Sequence, residues 1–387
     1  SWAAACDLQA AMALAGTGDE IWVAEGTHLP SDTDRTATFQ LVSGVAVYGG
    51  FEGWEASREQ RNPDPATSGT VLSGDIDQDD NTDAHDLVET PADIVGDNSY
   101  HVVTASSTAS SAVLDGFAIT GGQANGSAAA KQHEGGGFFA EGGSPMLTNL
   151  TLVGNIAEEG GAMTLINGSN PTISNASFRG NAASDYGGAL HNENSSPTLT
   201  NVQMSGNRAA VGGGAIYNLA SSPKLANVTV AGNAAGGTVS LASVTSAAVN
   251  IAPAGGGIFN FSGSKPEIRN SVIWNNEDST GTGTASASIR NLDIGSTPLA
   301  DYSDIQGLAS IGGLIFDPTS IDDDPLFVAP VAPANAPSFG GDYRLKSGSP
   351  AIDVGSDTFN SLPTDLDQQP RKQDGDGNGT ATIDMGA

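Results

Sequence analysis

Carboxylates and histidines recur beside paired glycines in the middle of this 387-residue chain. Glu134, Glu159 and Asp185 each lie within two residues of a glycine pair, and His191 and Glu193 share the next segment. A glycoside hydrolase needs carboxylates that converge on one face, and a polysaccharide lyase needs a Lys, Arg, His or Tyr base. These five residues are the candidate catalytic set if the protein is an enzyme. The alternative, which we favour, is that they are turn residues on a solvated corner and that the protein has no catalytic residues.

The charge balance restricts the partners. Lys and Arg number 14 against 44 Asp and Glu, which gives a formal net charge of −30. Nucleic acids and anionic membranes are bound through clustered basic residues, so neither is expected as a partner. A lyase of anionic glycans would also need a basic cleft, and this chain would repel such a substrate at low salt.

Two acidic segments have the composition of calcium loops. Asp75, Asp77 and Asp79 alternate along the chain, with Asp83 beyond them. Hard oxygen ligands at alternate positions of a loop are typical of Ca²⁺ sites. We predict a Ca²⁺ site here, and a solvated acidic loop is the alternative.

The second segment lies near the end of the chain. Asp374, Asp376, Asn378 and Asp384 copy the first half of an EF-hand-like loop, although the closing acid falls at position 11 instead of 12 and no flanking helices are evident. Ca²⁺ is therefore the predicted cofactor at both segments. The acidic run 322–324 is a weaker candidate of the same kind.

An internal repeat must position all of these residues. Five copies of a pattern with a glycine pair, a proline and two asparagines follow one another, with a period of 26 residues and one longer step of 43. The segment 237–253 supplies the extra 17 residues and is predicted to project as a loop or hairpin. The prolines that mark the period are Pro145, Pro171, Pro197, Pro223 and Pro266.

A β-rich unit of 26 residues cannot bury its apolar side alone, so the copies must stack. We predict an all-β parallel β-solenoid with three strands per coil, in which equivalent residues form files. One apolar file is Leu147, Ile173, Leu199, Leu225 and Ile268. Two asparagine files should form amide ladders: Asn149, Asn175, Asn201, Asn227 and Asn270, and Asn155, Asn181, Asn207, Asn233 and Asn276. Fainter copies at 112–122 and 297–307 extend the stack.

The ends of the chain differ from the repeats. The Ala-rich segment 2–15 predicts a helix that caps the first coil. We therefore divide the chain into a cap with a first strand (1–30), a solenoid with loops inserted at 75–100 and 237–253 (31–320), and a C-terminal region (321–387). The chain begins at Ser1 without a signal peptide, so we expect a processed piece of a longer precursor.

Three segments carry a resemblance to a known family. The N-terminal DLQAAMALAGTGDEIWVAEGTHLP, the GG-Φ-x-N rungs and the C-terminal SPAIDVG, DLDQQPR and DMGA resemble bacterial right-handed parallel β-helix surface proteins. The C-terminal part resembles their choice-of-anchor Q region, and the rungs resemble polymorphic outer-membrane-protein repeats. The resemblance implies a right-handed β-helix at the cell surface or outside a bacterium. It says little about activity.

The favoured function is a secreted or cell-surface, non-enzymatic solenoid that acts as an adhesin, a stalk or a subunit of a surface assembly. Its expected partners are other copies of itself, or glycans or proteins of a cell surface. The alternatives are a polysaccharide lyase or glycoside hydrolase, and a glycan-binding module without catalysis, for which Trp274 is a candidate stacking platform. No stretch reaches 18 apolar residues, so no transmembrane segment is expected.

Overall fold

The computed structural model describes residues 2, 5–239 and 252–387, so most of the insertion predicted at 237–253 lies outside the described residues. In the described part, the repeats stack as coils of a parallel β-helix with three sheets. One coil contributes Met146–Val153 to sheet 1, Ile156–Glu159 to sheet 2 and Met163–Ile166 to sheet 3. The predicted fold and the three strands per coil are confirmed.

The strands of each sheet are as follows, within the described residues. Sheet 1 comprises Glu20–Ala24, Gly26–His28, Ala46–Phe51, Thr70–Ser73, Val113–Thr120, Met146–Val153, Thr172–Arg179, Thr198–Ser205, Lys224–Ala231, Glu267–Arg269, Val272–Trp274, Leu299–Asp301, Asp304–Ile305 and Ile315–Phe316. Sheet 2 comprises Gln123–Ala124, Ile156–Glu159, Ala182–Tyr186, Arg208–Ala209, Ala234–Ala235, Glu277–Asp278 and Gly281–Thr282. Sheet 3 comprises Phe39–Gln40, Val103–Thr104, Phe138–Glu141, Met163–Ile166, Leu190–Glu193, Ile216–Leu219, Ile258–Phe261 and Ile289–Asn291.

The remaining regular elements are short. Two antiparallel hairpins pair Phe327–Ala329 with Asp342–Leu345 and Lys372–Gln373 with Thr382–Ile383. The α-helices are Leu8–Leu14, Pro65–Ser68 and Ala285–Ser288, and the 3₁₀ turns are Arg58–Gln60, Pro91–Asp93, Ala128–Ala130, Leu308–Ser310 and Pro333–Asn335. None of the described helices is long and apolar enough to cross a membrane.

The core lies between the three sheets and is built from files of equivalent residues. Leu147 pairs in register with Ile173, and the file continues through Leu199 and Leu225 to Ile268, as predicted. All five side chains are almost fully buried. The fainter copies are also coils, because Val113–Thr120 pairs with Met146–Val153 and Leu299–Asp301 pairs with Glu267–Arg269.

The inner asparagine ladder runs without a break. Each side chain from Asn155 to Asn233 donates its amide to the Oδ1 atom of the next asparagine at 2.9–3.0 Å, and the last acceptor is Asn276. These asparagines are fully buried. Buried polar groups are tolerated when they are hydrogen-bonded, so the ladder stabilises the turn between sheets 1 and 2.

The outer ladder has an interruption that sequence analysis did not predict. Asn175 donates to Asn149 at 3.2 Å and Asn201 donates to Asn175 at 2.7 Å, but the Asn227 amide donates to the carbonyls of Asp384 and Gly386 instead. Residues of this file adopt positive φ angles of 47–60°. Asparagine tolerates this left-handed conformation better than most residues, which explains its repetition there.

The two ends of the solenoid are covered by different structures. The helix Leu8–Leu14 caps the first coil and buries Leu8 and Met12 in the common core, as predicted. After the last strand of sheet 1, the C-terminal region folds back over the outer face of that sheet. There the Ser356 amide donates to the Asn270 side chain at 2.7 Å.

Candidate functional site

The predicted catalytic residues lie at one corner of the solenoid, where sheet 2 ends and sheet 3 begins. Glu134 and Glu159 pair across a parallel bridge, and Glu159 pairs with Tyr186. The register shifts after Ala157, so Tyr186 occupies the position that the repeat pattern predicts for Asp185. The expectation that Asp185 stacks with the two glutamates is therefore wrong, because one extra residue in that coil displaces it.

Three basic groups reach the two stacked glutamates. Nδ1 of His191 lies 3.2 Å from Oε2 of Glu159. Oε1 of Glu134 lies 3.1 Å from Nζ of Lys131 and 3.4 Å from Nε2 of His133. The sequence-predicted glutamates and histidine are thus brought together. Lys131 was not predicted, although its position three residues before Glu134 was visible in the sequence.

Burial distinguishes this corner from an open cleft. The His191 side chain is 1% exposed and that of Glu134 is 4% exposed. Nε2 of His191, Oε2 of Glu134 and Nδ1 of His133 have no hydrogen-bond partner within the described residues. The Tyr217 ring packs edge-on against the His191 ring, with ring centroids 5.2 Å apart, whereas Glu193, two residues further along the same strand, remains partly exposed.

The electrostatics of the corner favour an ion pair between Glu159 and His191. Burial raises the pKa of Glu159, but the charge and hydrogen bond of His191 outweigh it and leave the pKa below its usual value. For His191, burial lowers the pKa and the Glu159 charge outweighs it, so the pKa is raised. Burial and then the charge of Asp185 raise the pKa of Glu158, with His133 opposing them. An acid and a base are present, but each of the stacked glutamates already contacts a basic partner.

The first acidic segment folds into a carboxylate cluster. Ligand oxygens of Asp75, Asp79 and Asp80 lie within 4.8 Å of one another. The Asp75 carboxylate accepts the Asp79 and Asp80 amides at 3.1 and 3.2 Å, which curls the loop around it. Burial raises the pKa of Asp80 to about 7, against hydrogen bonds from Val95 and Asn98. We call these three residues the 75–80 cluster.

Asp80 belongs to this cluster, although the sequence analysis predicted Asp75, Asp77, Asp79 and Asp83 as ligands and did not include Asp80. Asp77 lies beside it. Desolvation and then the charge of Asp77 raise the pKa of Asp79, and the Oδ2 atom of Asp77 accepts the Asp97 amide at 3.0 Å. Asp83 faces its own turn, accepting the amides of His85 and Leu87. It is not among the residues gathered in the cluster.

The second acidic segment also gathers carboxylates, with one member from an unexpected place. Ligand oxygens of Asp353, Asp374 and Asp376 lie within 4.8 Å of one another. Asp353 comes from the SPAIDVG segment and accepts the Asp376 and Thr382 amides at 2.9 and 3.2 Å. We call this the 353–376 cluster.

The other two predicted ligands of this segment, Asn378 and Asp384, are not among the three residues of the 353–376 cluster. The Asn378 side chain donates to Asp376 at 2.8 Å and its Oδ1 atom accepts the Thr380 amide at 2.8 Å. Asp384 accepts the Asp353 amide at 2.8 Å and therefore helps to hold Asp353 in place. Carboxylate oxygens at such spacing are the ligands that Ca²⁺ takes, so both clusters have a suitable donor set.

A cleft follows the outer face of sheet 1. Its floor is formed by side chains of the sheet such as Thr151 and Ser177, and residues of the loops 64–66, 83–87 and 366–368 also line it. Amides and hydroxyls predominate on the floor. The lining does not include the candidate catalytic residues, and neither do the linings of three further clefts near the N-terminal cap and the C-terminal region.

Trp274 is not an open stacking platform. It packs against a cluster that includes Phe327, Tyr343 and Met385 of the C-terminal region. The fold-back of that region covers the position that the repeat pattern leaves on the outside.

Comparisons with known proteins identify the fold and no family. No family model matches the chain, and no curated protein matches it. Among solved structures, the pectate lyase Pel9A is similar with a TM-score of 0.50 at 12% identity, over 100% of this chain and 91% of that one. This is a parallel β-helix. At this identity the likeness supports the fold described above and nothing about activity.

Proposed function

We propose that this protein is a non-enzymatic β-solenoid of the cell surface or extracellular space, which acts as an adhesin, a stalk or a subunit of a surface assembly. One observation carries the proposal. The carboxylates and histidines that an enzyme would need are paired with one another at a corner where His191 is 1% exposed. The Glu159 side chain is 27% exposed, but a substrate would have to break the His191–Glu159 contact to use either group as a free acid or base.

The body of the molecule supports this role. Its polar interior is satisfied along the inner asparagine ladder, and its apolar core is continuous from the N-terminal cap to the last coils. Such a stack needs only its neighbouring coils for stability. The net charge of −30 favours solubility and disfavours binding to anionic surfaces. The resemblance to bacterial surface β-helices supports an extracellular location, and copies of the chain, glycans or proteins of a cell surface are the proposed partners.

Calcium is part of the same proposal. The 75–80 cluster fastens an inserted loop to the solenoid, because Asn98 donates both to Asp80 and to the Gly121 carbonyl of the body. The 353–376 cluster adjoins Asp384, whose carbonyl accepts the Asn227 amide of sheet 1. Ca²⁺ at either cluster would neutralise carboxylates that repel one another and rigidify a loop against the body.

The rival function is a polysaccharide lyase or glycoside hydrolase. One observation favours it: the stacking of Glu134 on Glu159 beside two histidines. A water molecule could be activated by Glu134, whose Oε2 atom has no partner within the described residues. A glycan-binding module without catalysis would instead use the polar cleft on sheet 1.

Incubation with a panel of neutral and anionic polysaccharides tests the proposal, with and without Ca²⁺. Unsaturated products are followed at 235 nm and new reducing ends are measured in parallel. We expect no product from the wild-type chain. Product that disappears in Glu159→Gln but persists in Glu141→Gln, an exposed glutamate one coil earlier in sheet 3, would overturn the non-enzymatic reading. Retention on a glycan array without turnover would support the binding module.

A further inference from the structure

Asp304 is a buried carboxylate that neither acidic cluster uses. It lies in the short strand Asp304–Ile305 of sheet 1, which pairs with Val272–Trp274 near the C-terminal end of the solenoid. The residue is fully buried, at 0% exposure. Its Oδ1 atom accepts the Asp323 amide at 3.2 Å, and its Oδ2 atom has no hydrogen-bond partner within the described residues.

The surroundings of this carboxylate are acidic. Asp322, Asp323 and Asp324 form the turn that crosses it, and all three are exposed. Oδ1 of Asp322 accepts the Gly307 amide at 3.0 Å, which holds the turn against the last coils. Within the described residues, no Lys, Arg or His forms an ion pair with any of the four carboxylates.

Of the four carboxylates, Asp304 alone is buried, and it lacks the partner that a buried charge requires. Burial raises the pKa of Asp304 to about 8, and the charges of Asp323, Asp322 and Asp324 add to the effect against the Asp323 amide. Protonation would neutralise Asp304 alone and would leave three like charges at one turn. A cation would neutralise the whole group and would also give the orphan Oδ2 atom a partner.

We propose that Asp304 is the buried ligand of a third cation site, completed by carboxylates of the turn 322–324, and that it takes a hard divalent ion such as Ca²⁺. The turn side chains are exposed, so they can rotate towards an ion that Asp304 holds. The site differs from the two clusters above, whose carboxylates already lie within ligand distance of one another. It does not depend on the calcium proposal for those clusters.

The position of the site gives it a structural consequence. Ile305 donates its amide to the Ile321 carbonyl at 2.9 Å, so the turn 322–324 begins where the chain leaves sheet 1. An ion between Asp304 and this turn would fasten the last coil to the start of the C-terminal region. It would close the solenoid at the end opposite the helical cap.

The test counts Ca²⁺ ions in the full chain. Asp79→Asn and Asp374→Asn together weaken the two clusters, and equilibrium dialysis then measures the Ca²⁺ that remains bound. We expect Asp304→Asn to remove one further ion. The matched control is Asp278→Asn, because Asp278 is also buried but its carboxylate accepts hydrogen bonds from Thr280 and Ser286. Equal Ca²⁺ binding by the Asp304 and Asp278 variants would overturn the proposal.

Thermal unfolding of the same variants gives a second readout. In EGTA, Asp304→Asn should melt at or above the temperature of its parent, because it replaces a buried carboxyl group whose ionisation the surroundings oppose. With Ca²⁺ present, the order should reverse. An equal loss of stability in both buffers would mean that Asp304 acts only as a hydrogen-bond acceptor, and the site would be rejected. Because the count is made with both clusters weakened, its failure would leave the calcium proposal for those clusters untouched.

Discussion

The repeat body and the acidic loops satisfy their polar groups in opposite ways. In the inner ladder, Asn207 accepts the amides of Asn181 and donates to Asn233 and to two carbonyls, so every polar atom has a partner of the opposite kind. In the 75–80 cluster, carboxylates face one another within 4.8 Å. The inner ladder satisfies its own polar groups, whereas the 75–80 cluster holds like charges close together, which is why we propose a cation there.

Breaking the ladder should have the largest effect. Asn207→Ala leaves the donors of Asn181 and several carbonyls unpaired in a fully buried site. Each unsatisfied group costs about 1–3 kcal/mol, so the free energy of unfolding should fall by about 3 kcal/mol or more. Urea unfolding followed by circular dichroism measures the change. Asn335→Ala, in an exposed 3₁₀ turn, is the control and should leave stability nearly unchanged. A loss below about 1 kcal/mol for Asn207→Ala would contradict the role of the ladder.

Acid should weaken the body through the partly buried His101. Burial lowers the pKa of His101 to about 4, and its Nδ1 atom lies 3.0 Å from the Gly135 carbonyl. The unfolded chain binds this proton below about pH 6.5. The stability contributed by the neutral ring is therefore complete above that pH and is lost as the pH falls towards 4.

From pH 8 to pH 5 we expect His101 to account for a loss of about 1–2 kcal/mol, which His101→Gln should remove. Unfolding at the two pH values measures it, with exposed His85→Gln as the control. The same pH dependence in the wild type and in His101→Gln would show that the ring does not titrate as described.

Within the acidic loops, two aspartates that look alike in sequence should behave differently. Asp79 belongs to the 75–80 cluster, and Asp83 faces its own turn. In a chain that carries Asp374→Asn, Asp79→Asn should weaken Ca²⁺ binding about tenfold or more, which corresponds to about 1.4 kcal/mol. Asp83→Asn should leave it nearly unchanged. Isothermal titration calorimetry distinguishes them, and equal effects of the two substitutions would refute the assignment of Asp83.

The sequence predicted the body better than the loops, and the reason is physical. A fixed period places Leu147 over Ile173 and Asn155 over Asn181 whatever the rest of the chain does. The sequence analysis did not predict a third ladder through Asn192, Asn218, Asn260 and Asn291, because the spacing between its members changes from 26 to 42 and 31 residues.

The functional groups that were missed depend on contacts that no period encodes. Asp353 meets Asp374 only because the C-terminal region folds back on itself. Asp80 joins its cluster because the loop curls around Asp75. Tyr186, and not Asp185, pairs with Glu159, because the strand register shifts by one residue after Ala157. Loops and fold-backs follow tertiary contacts, and a single sequence reveals these only in part.

The most direct test of the calcium-stabilised solenoid is calorimetric unfolding of the wild-type chain in EGTA and at increasing free Ca²⁺. An ion that binds only the folded state adds about 2.7 kcal/mol at one hundred times its dissociation constant. We therefore predict a melting temperature that rises steadily with free Ca²⁺ and is lowest in EGTA. One melting temperature at every Ca²⁺ concentration would contradict the account, because the acidic loops would then need no ion.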